Sequence, residues 1–211
     1  MRFRLTYEGE LRASQRDPQN NQRDRLAGHK QSIRKVFHSQ LKRLWETNKF
    51  LSELVDEDWP SKSAVPANQV APLSEAIANL HQENGYRFVP LVREEFELFC
   101  SLDILFLRRD FPSGVVSAGD LDNRIKTLID ALRKPHNANE LRDNETPAPG
   151  EDPFFCLLED DDLVTDLSVQ TDMLLDPLPA NESSNDQSHV KLVISVELKP
   201  SHVTMFNLGF A

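Results

Sequence analysis

Long apolar runs are missing from this 211-residue chain, and no stretch approaches the roughly 20 apolar residues of a membrane-crossing helix. The first residues, MRFRLTYEGELRAS, lack the apolar centre of a secretory leader. A cytoplasmic protein with no membrane partner is therefore expected. Cysteine is scarce: Cys100 and Cys156 are the only two, without CxxC spacing or a neighbouring ligand set, which argues for buried free thiols and against a zinc knuckle. Glycine is also sparse, at seven residues. There is no glycine-rich phosphate loop, no Walker A sequence and no Nudix-like acidic helix, so the common nucleotide-handling motifs are excluded. No internal repeat is present. Positive charge is short overall, with 24 Lys and Arg against 34 Asp and Glu for a net charge of -10. That balance weighs against a phosphate-backbone partner, whose affinity comes largely from cations that displace counterions.

What is present supports one sizeable core, since 39% of the residues are hydrophobic. The pattern predicts a single compact domain over residues 1–211 of α/β (α+β) class, with a mixed sheet of about four strands and helices packed on it. Met1 to Tyr7 alternates as a strand. Residues 21–49 carry an apolar stripe of Ile33, Val36, Phe37, Leu41, Leu44 and Trp45 at spacings of three and four, the mark of an amphipathic helix. Arg34, Lys35, His38, Lys42 and Arg43 fall around that stripe and give it a basic surface. Residues 56–72 carry three prolines and read as a polar loop, and SEAIANLHQENG as a short helix ending at Gly85.

Glu94 to Arg109 gives the strongest strand signal. Phe96, Leu98, Cys100, Leu102, Ile104 and Phe106 share one face and Phe99, Leu105 and Leu107 the other, which predicts a central strand. Asp103 lies on its less apolar face, so either that end is open to water or a cation is near. Residues 134–153 read as a long loop, functional or mobile. LVTDLSVQTDM and HVKLVISVELK then alternate as two strands, expected to pair antiparallel because only loop connects them.

Charge is distributed unevenly. Residues 1–50 hold 12 Lys or Arg against 5 Asp or Glu, and residues 120–211 hold 7 against 18. A basic N-terminal face could hold an anionic substrate while an acidic C-terminal half holds divalent metal; a solvated surface would give the same counts.

The acidic half contains two clusters. In GDLDNRIKTLIDAL, a helix starting near Leu121 places Leu121, Ile125, Leu128, Ile129 and Leu132 within about 100° of arc, facing a core. Asp122, Asn123, Lys126, Asp130 and Arg133 share a neighbouring arc. An ordinary helix accounts for these residues: Asp120 as N-cap, Asp122 in the first turn paired with Lys126, and Asp130 paired with Lys126 or Arg133. It does not account for LEDDDLV, residues 158–164, where four consecutive acids meet at the mouth of a strand. Mg²⁺ takes oxygen ligands from converging carboxylates, and such a metal could generate hydroxide and stabilise charge on a scissile phosphate. Lys126 is placed to neutralise the phosphate or the leaving oxygen.

The order Asp120-Leu121-Asp122-Asn123, then Lys126, then Asp130-Ala131-Leu132, then Asp160-Asp161 followed by Val164, resembles the RusA-type Holliday junction resolvase family over about residues 95–199. That resemblance implies a RusA-like α/β fold, a homodimer, a branched-DNA partner and endonuclease activity with Mg²⁺ or Mn²⁺ in DNA recombination or repair. It also implies that Asp120, Asp122 and Asp161 bind metal and that Lys126 assists catalysis, with Asp160 or Asp162 as alternatives to Asp161. Arg34, Lys35, Lys42 and Arg43 are the candidate DNA contacts. Asn123, Asp130 and Asp103 are candidates to orient a ligand or pair with Lys126 without touching metal. The chain departs from the family in its length, its basic N-terminal helix and long loop, and its acidic balance. Two other functions remain open: a divergent DNA-binding protein that does not cut, and a metal-dependent phosphohydrolase of a small substrate.

Overall fold

The structure, a computed structural model, describes residues 1–13, 26–56, 72–109, 119–141, 145–176, 188–204 and 207–210. Residues 57–71, most of the proline-rich loop, and 21–25, the start of the expected basic helix, lie outside them. In chain order the strands are β1 (Arg2–Glu10), β2 (Gln82–Glu83), β3 (Tyr86–Val92), β4 (Leu98–Arg108), β5 (Phe154–Leu158), β6 (Val164–Met173) and β7 (His189–Pro200), and the helices are α1 (Ala27–Thr47), α2 (Lys49–Asp56), α3 (Leu73–Leu80) and α4 (Gly119–Leu132). This is the expected mixed α+β architecture.

The four strands legible as alternating sequence form one sheet in the order β1-β7-β4-β6. Its neighbours differ from expectation in one respect. β6 and β7 do not pair; β4 lies between them, antiparallel to β7 and parallel to β6. β4 thus takes the central place expected for it, with both edges paired along most of their length. A parallel neighbour requires a crossover connection, and α4 with β5 supplies it between β4 and β6. The edge at β1 is blunted by a side chain of α1: Thr6 N donates to Gln40 Oε1 (2.9 Å) and Gln40 Nε2 donates to Thr6 O (2.7 Å).

A second sheet, β2-β3-β5, with β3 parallel to β5, has no counterpart in the sequence reading. Its strands YRFVPLV and FFCLL are almost wholly buried, so they show continuous apolar runs in place of alternation. The helix expected to run to about residue 49 breaks at Asn48, whose extended backbone ends α1 and whose Oδ1 accepts from Phe50 N and Leu51 N to start α2.

One core joins these layers. Leu192, Ile194 and Val196 of β7 and Leu102, Ile104 and Phe106 of β4 pack with Ile33, Phe37, Leu41 and Trp45 of α1 and Leu128 and Leu132 of α4. Each such fully buried side chain contributes about 1.5–3 kcal/mol. The far side of β3 and β5 forms a smaller cluster of Tyr86, Phe88, Leu141, Phe154 and Cys156. Both cysteines are free and buried. Among the described residues no helix is long and apolar enough to cross a membrane.

Candidate metal and nucleic-acid site

The apolar stripe of α4 is as expected, with Leu128 and Leu132 buried and Leu121 and Ile129 packed against the core. Its polar arc, however, divides in two along the helix. In the N-terminal half Asp122 and Lys126 are exposed and form no ion pair or hydrogen bond among the described residues, so the expected i,i+4 pair is not made. Asp120 lies inside the first turn of α4 instead of preceding it, and its side chain is outside the described residues. Asn123 is half-buried, and its carbonyl accepts from the Thr127 hydroxyl (3.1 Å).

In the C-terminal half Asp130 and Arg133 are buried, because α1 crosses there. Lys30 Nζ meets Asp130 Oδ2 at 2.6 Å, and Arg133 Nη2 approaches Asp130 Oδ1 at 3.4 Å. Asp130 therefore pairs with Lys30 and Arg133, not with Lys126. Arg34, expected on a DNA-facing surface, is fully buried. Its Nη2 donates to Asp130 O (2.9 Å) and its Nε to Arg133 O (3.1 Å). The last carbonyls of a helix lack intrahelical donors and form its negative pole, and a forked guanidinium satisfies both demands at once. Desolvation works against that charge and lowers the Arg34 pKa to about 10.

The other expected DNA contacts are also engaged by the chain itself. Lys35 Nζ bridges Glu145 (2.7 Å) and Glu151 (3.3 Å), and Lys42 Nζ donates to Gly150 O (3.0 Å). Arg43 alone of the four is exposed without a partner among the described residues. These contacts, with His38 Nε2 to Gly150 O at 3.2 Å, fold residues 145–151 back onto α1. The long segment after α4 also holds a 3-10 turn at Ala138–Glu140, so its described part is anchored.

LEDDDLV begins in β5 and turns sharply. Lys134 N donates to Leu158 O (2.9 Å) and Glu159 N to Val92 O (2.9 Å), tying the end of α4 and the end of β3 to the exit of β5. Asp160 then caps a 3-10 turn, Asp161–Leu163, by accepting from Asp162 N (3.2 Å). Asp160 Oδ2 lies 3.0 Å from His136 Nε2, and Asp161 Oδ1 lies 3.9 Å from Arg133 Nε. Ligand atoms of His136, Asp160 and Asp161 fall within 4.8 Å of one another. Asp162 is exposed and outside that group. Partial burial opposes ionisation of both carboxyls; Asp160 is nevertheless held below its ordinary range by hydrogen bonds from Asp161 and the Asp162 amide, while Asp161 is pushed up by burial and by Asp160. Two carboxylates and an imidazole this close have the donor types and spacing of a divalent-cation site. His136 was not singled out from the sequence, although it lies only three residues beyond Arg133.

The two acidic clusters do not converge within one chain. Asp161 approaches Arg133 just past the C-terminal end of α4, whereas Asp120 and Asp122 lie in its first turn. Asp122 precedes Arg133 by three helical turns, about 16 Å at 1.5 Å per residue, against metal bonds of about 2 Å. The strand order agrees, because β6 starts beside the start of β4 and α4 follows the other end of β4. Asp103 lies elsewhere again. It is exposed on the sheet face opposite the helices, between Ser195 and Ser168, beside a groove of about 560 Å³ lined by Arg2, Arg4, Asp166 and Lys199 among others. That face is open to water, so Asp103 does not orient ligands on α4. No family model, curated protein or solved structure matches the chain.

Proposed function

We propose that the chain is a divalent-metal-dependent endodeoxyribonuclease of RusA type, using Mg²⁺ or Mn²⁺ to hydrolyse phosphodiester bonds in branched DNA during recombination or repair. The observation that carries this reading is the pairing of Asp160 and Asp161 beside His136 at the mouth of β6. A cation held there would lower the pKa of a coordinated water and offset charge on a phosphate. Asp122 and Lys126, exposed at the other end of α4, form a second half of the acidic set. A homodimer whose two α4 helices run antiparallel would bring the N-terminal half of one copy to the C-terminal half of the other. The cytoplasm is the compartment in which we place this activity.

A second reading, a metal-dependent phosphohydrolase of a small phosphate ester, draws on the internal use of Arg34, Lys35 and Lys42, which leaves fewer cations for a DNA backbone. A cleavage panel of four-way junction, flap, duplex, single-stranded DNA and nucleotides, run with Mg²⁺ and Mn²⁺, separates the two. Asp161→Asn should abolish metal-dependent cleavage of junctions with an unchanged far-ultraviolet spectrum. An Asp161→Asn protein that cuts as well as the parent refutes the endonuclease reading.

A further inference from the structure

A second group of metal-ligating side chains lies on the other side of the acidic turn. His81 ends α3, Glu95 belongs to the 3-10 turn Glu94–Phe96 after β3, and Glu159 leaves β5. One ligand atom from each lies within 4.8 Å of the others. His81 is the informative member. Its side chain is only 9% exposed, and its Nδ1 stands 3.8 Å from Glu159 Oε1, beyond hydrogen-bond range. Its Nε2 is sealed from solvent without a hydrogen bond. An imidazole this buried with no hydrogen bond costs free energy, and a metal at Nδ1, the nitrogen that faces Glu159, would give the ring a partner on that side. Donor atoms bound at about 2.0–2.2 Å around a tetrahedral ion lie roughly 3.3–3.6 Å apart, close to the observed gap.

The remaining ligands suit the same assignment. Glu159 Oε2 is fixed by accepting from Glu94 N at 3.2 Å, which leaves Oε1 turned toward His81. Glu95 is half-exposed and opens the group to water for a fourth position. Two cations stand nearby, Lys134 and an Arg93 whose Nε lies 3.6 Å from Glu95 and whose guanidinium stacks on Phe96. Their repulsion opposes any divalent ion, so binding depends on the ligands themselves. The His81 imidazole, unlike that of the exposed His136, is buried against the carboxylates, which favours an ion that gains strongly from nitrogen over Mg²⁺, which prefers oxygen and dehydrates reluctantly.

We propose that His81, Glu95 and Glu159 bind a first-row transition-metal ion of the Zn²⁺ class, with water completing its coordination. The ion clamps the ends of α3, β3 and β5 together immediately before Asp160. This site is independent of the endonuclease reading.

The test uses the full chain carrying Asp160→Asn and Asp161→Asn, which removes the other carboxylate group; Asn retains the capping function at residue 160. Calorimetric titration with Zn²⁺ should show saturable one-to-one binding, and Co²⁺ should develop the visible bands of a low-coordinate site. Adding His81→Ala or Glu95→Gln should each weaken Zn²⁺ binding by about tenfold or more, with Mg²⁺ binding no better in the parent. Glu95 is exposed enough that Glu95→Gln keeps the test valid should His81→Ala fail to fold. Absence of one-to-one binding, or binding that survives either substitution in a folded variant, overturns the proposal.

Discussion

Replacing Asp130 by Asn removes one charge from an interior that contains several. The Lys30 ammonium and the Asp130 carboxylate are 6% and 9% exposed and 2.6 Å apart, so each offsets the other's desolvation. Asn is nearly isosteric with Asp, which leaves packing intact and isolates the electrostatic change. Arg133 keeps Glu140 at 2.9 Å, and Arg34 keeps its backbone carbonyls. The burden therefore falls on Lys30, a buried cation that loses its 2.6 Å ion pair. Breaking one side of such a pair costs about 3–5 kcal/mol, a fifth or more of the roughly 5–15 kcal/mol by which proteins are stable. For a chain of this size that is a fall in Tm of roughly 6–20 °C. Urea unfolding followed by far-ultraviolet circular dichroism, with an unchanged m-value, measures the loss directly. Lys30→Met should cost less than Asp130→Asn, because Arg133 still faces Asp130 at 3.4 Å. The double variant should recover much of the loss. An Asp130→Asn protein within about 1 kcal/mol of the parent, or a double variant no better than the sum of its parts, refutes the argument.

Two further outcomes follow from other parts of the fold. The His38 ring is buried, accepts from Phe155 N at Nδ1 (2.9 Å) and faces Gly150 O through Nε2, and desolvation by burial lowers its pKa from 6.5. Below that pH the unfolded chain binds a proton that the folded ring refuses, so stability falls as pH drops through 6.5 until the folded ring also titrates. His29 and His81 are lowered in the same sense. Urea midpoints between pH 7.5 and 5 should decline, and His38→Gln should flatten part of that slope; an unchanged slope would count against the assignment. At Gly209 a Cβ would lie 2.3 Å from the Phe50 ring, which packs edge-on against Phe210 at 5.0 Å. Gly209→Ala should destabilise by about 1–3 kcal/mol in the same urea assay, and a neutral result would mean that this ring moves freely.

The parts of the fold legible in the sequence are those where one face meets water. β1, β4, β6 and β7 alternate or nearly so, and their positions were readable to within a few residues. β3 and β5 are covered on both faces, and YRFVPLV and FFCLL carry no period to read. Pairing was harder still, because the order β7-β4-β6 depends on which strands accept neighbours on both edges. On α4 the apolar stripe was readable from spacing alone. Its polar arc was not, since nothing local distinguishes Asp122, exposed, from Asp130, buried eight residues later by a helix that precedes it by nearly a hundred residues.

The same long-range contacts change what the uneven charge means. Counted along the chain, the basic N-terminal and acidic C-terminal segments suggest a binding face and a metal face. In three dimensions they meet: Lys30 with Asp130, Lys35 with Glu145 and Glu151, Lys42 and His38 with the carbonyl of Gly150, and Arg34 with the end of α4. Part of the asymmetry is complementarity within the fold, used to seat α1 on the later elements. Each cation so engaged is one that cannot displace a counterion from DNA. Among the described residues of the N-terminal third, Arg43 on α1 and Lys49 on α2 are exposed without a side-chain partner, and Arg4 lines the open sheet groove, where Arg2 is paired with Glu197. Under the proposed function, a chain with few free cations among its described residues and a net acidic charge holds a phosphate chiefly through metal at Asp160 and Asp161. Divalent cation would then govern binding as well as cleavage, and the salt dependence of binding would be shallow.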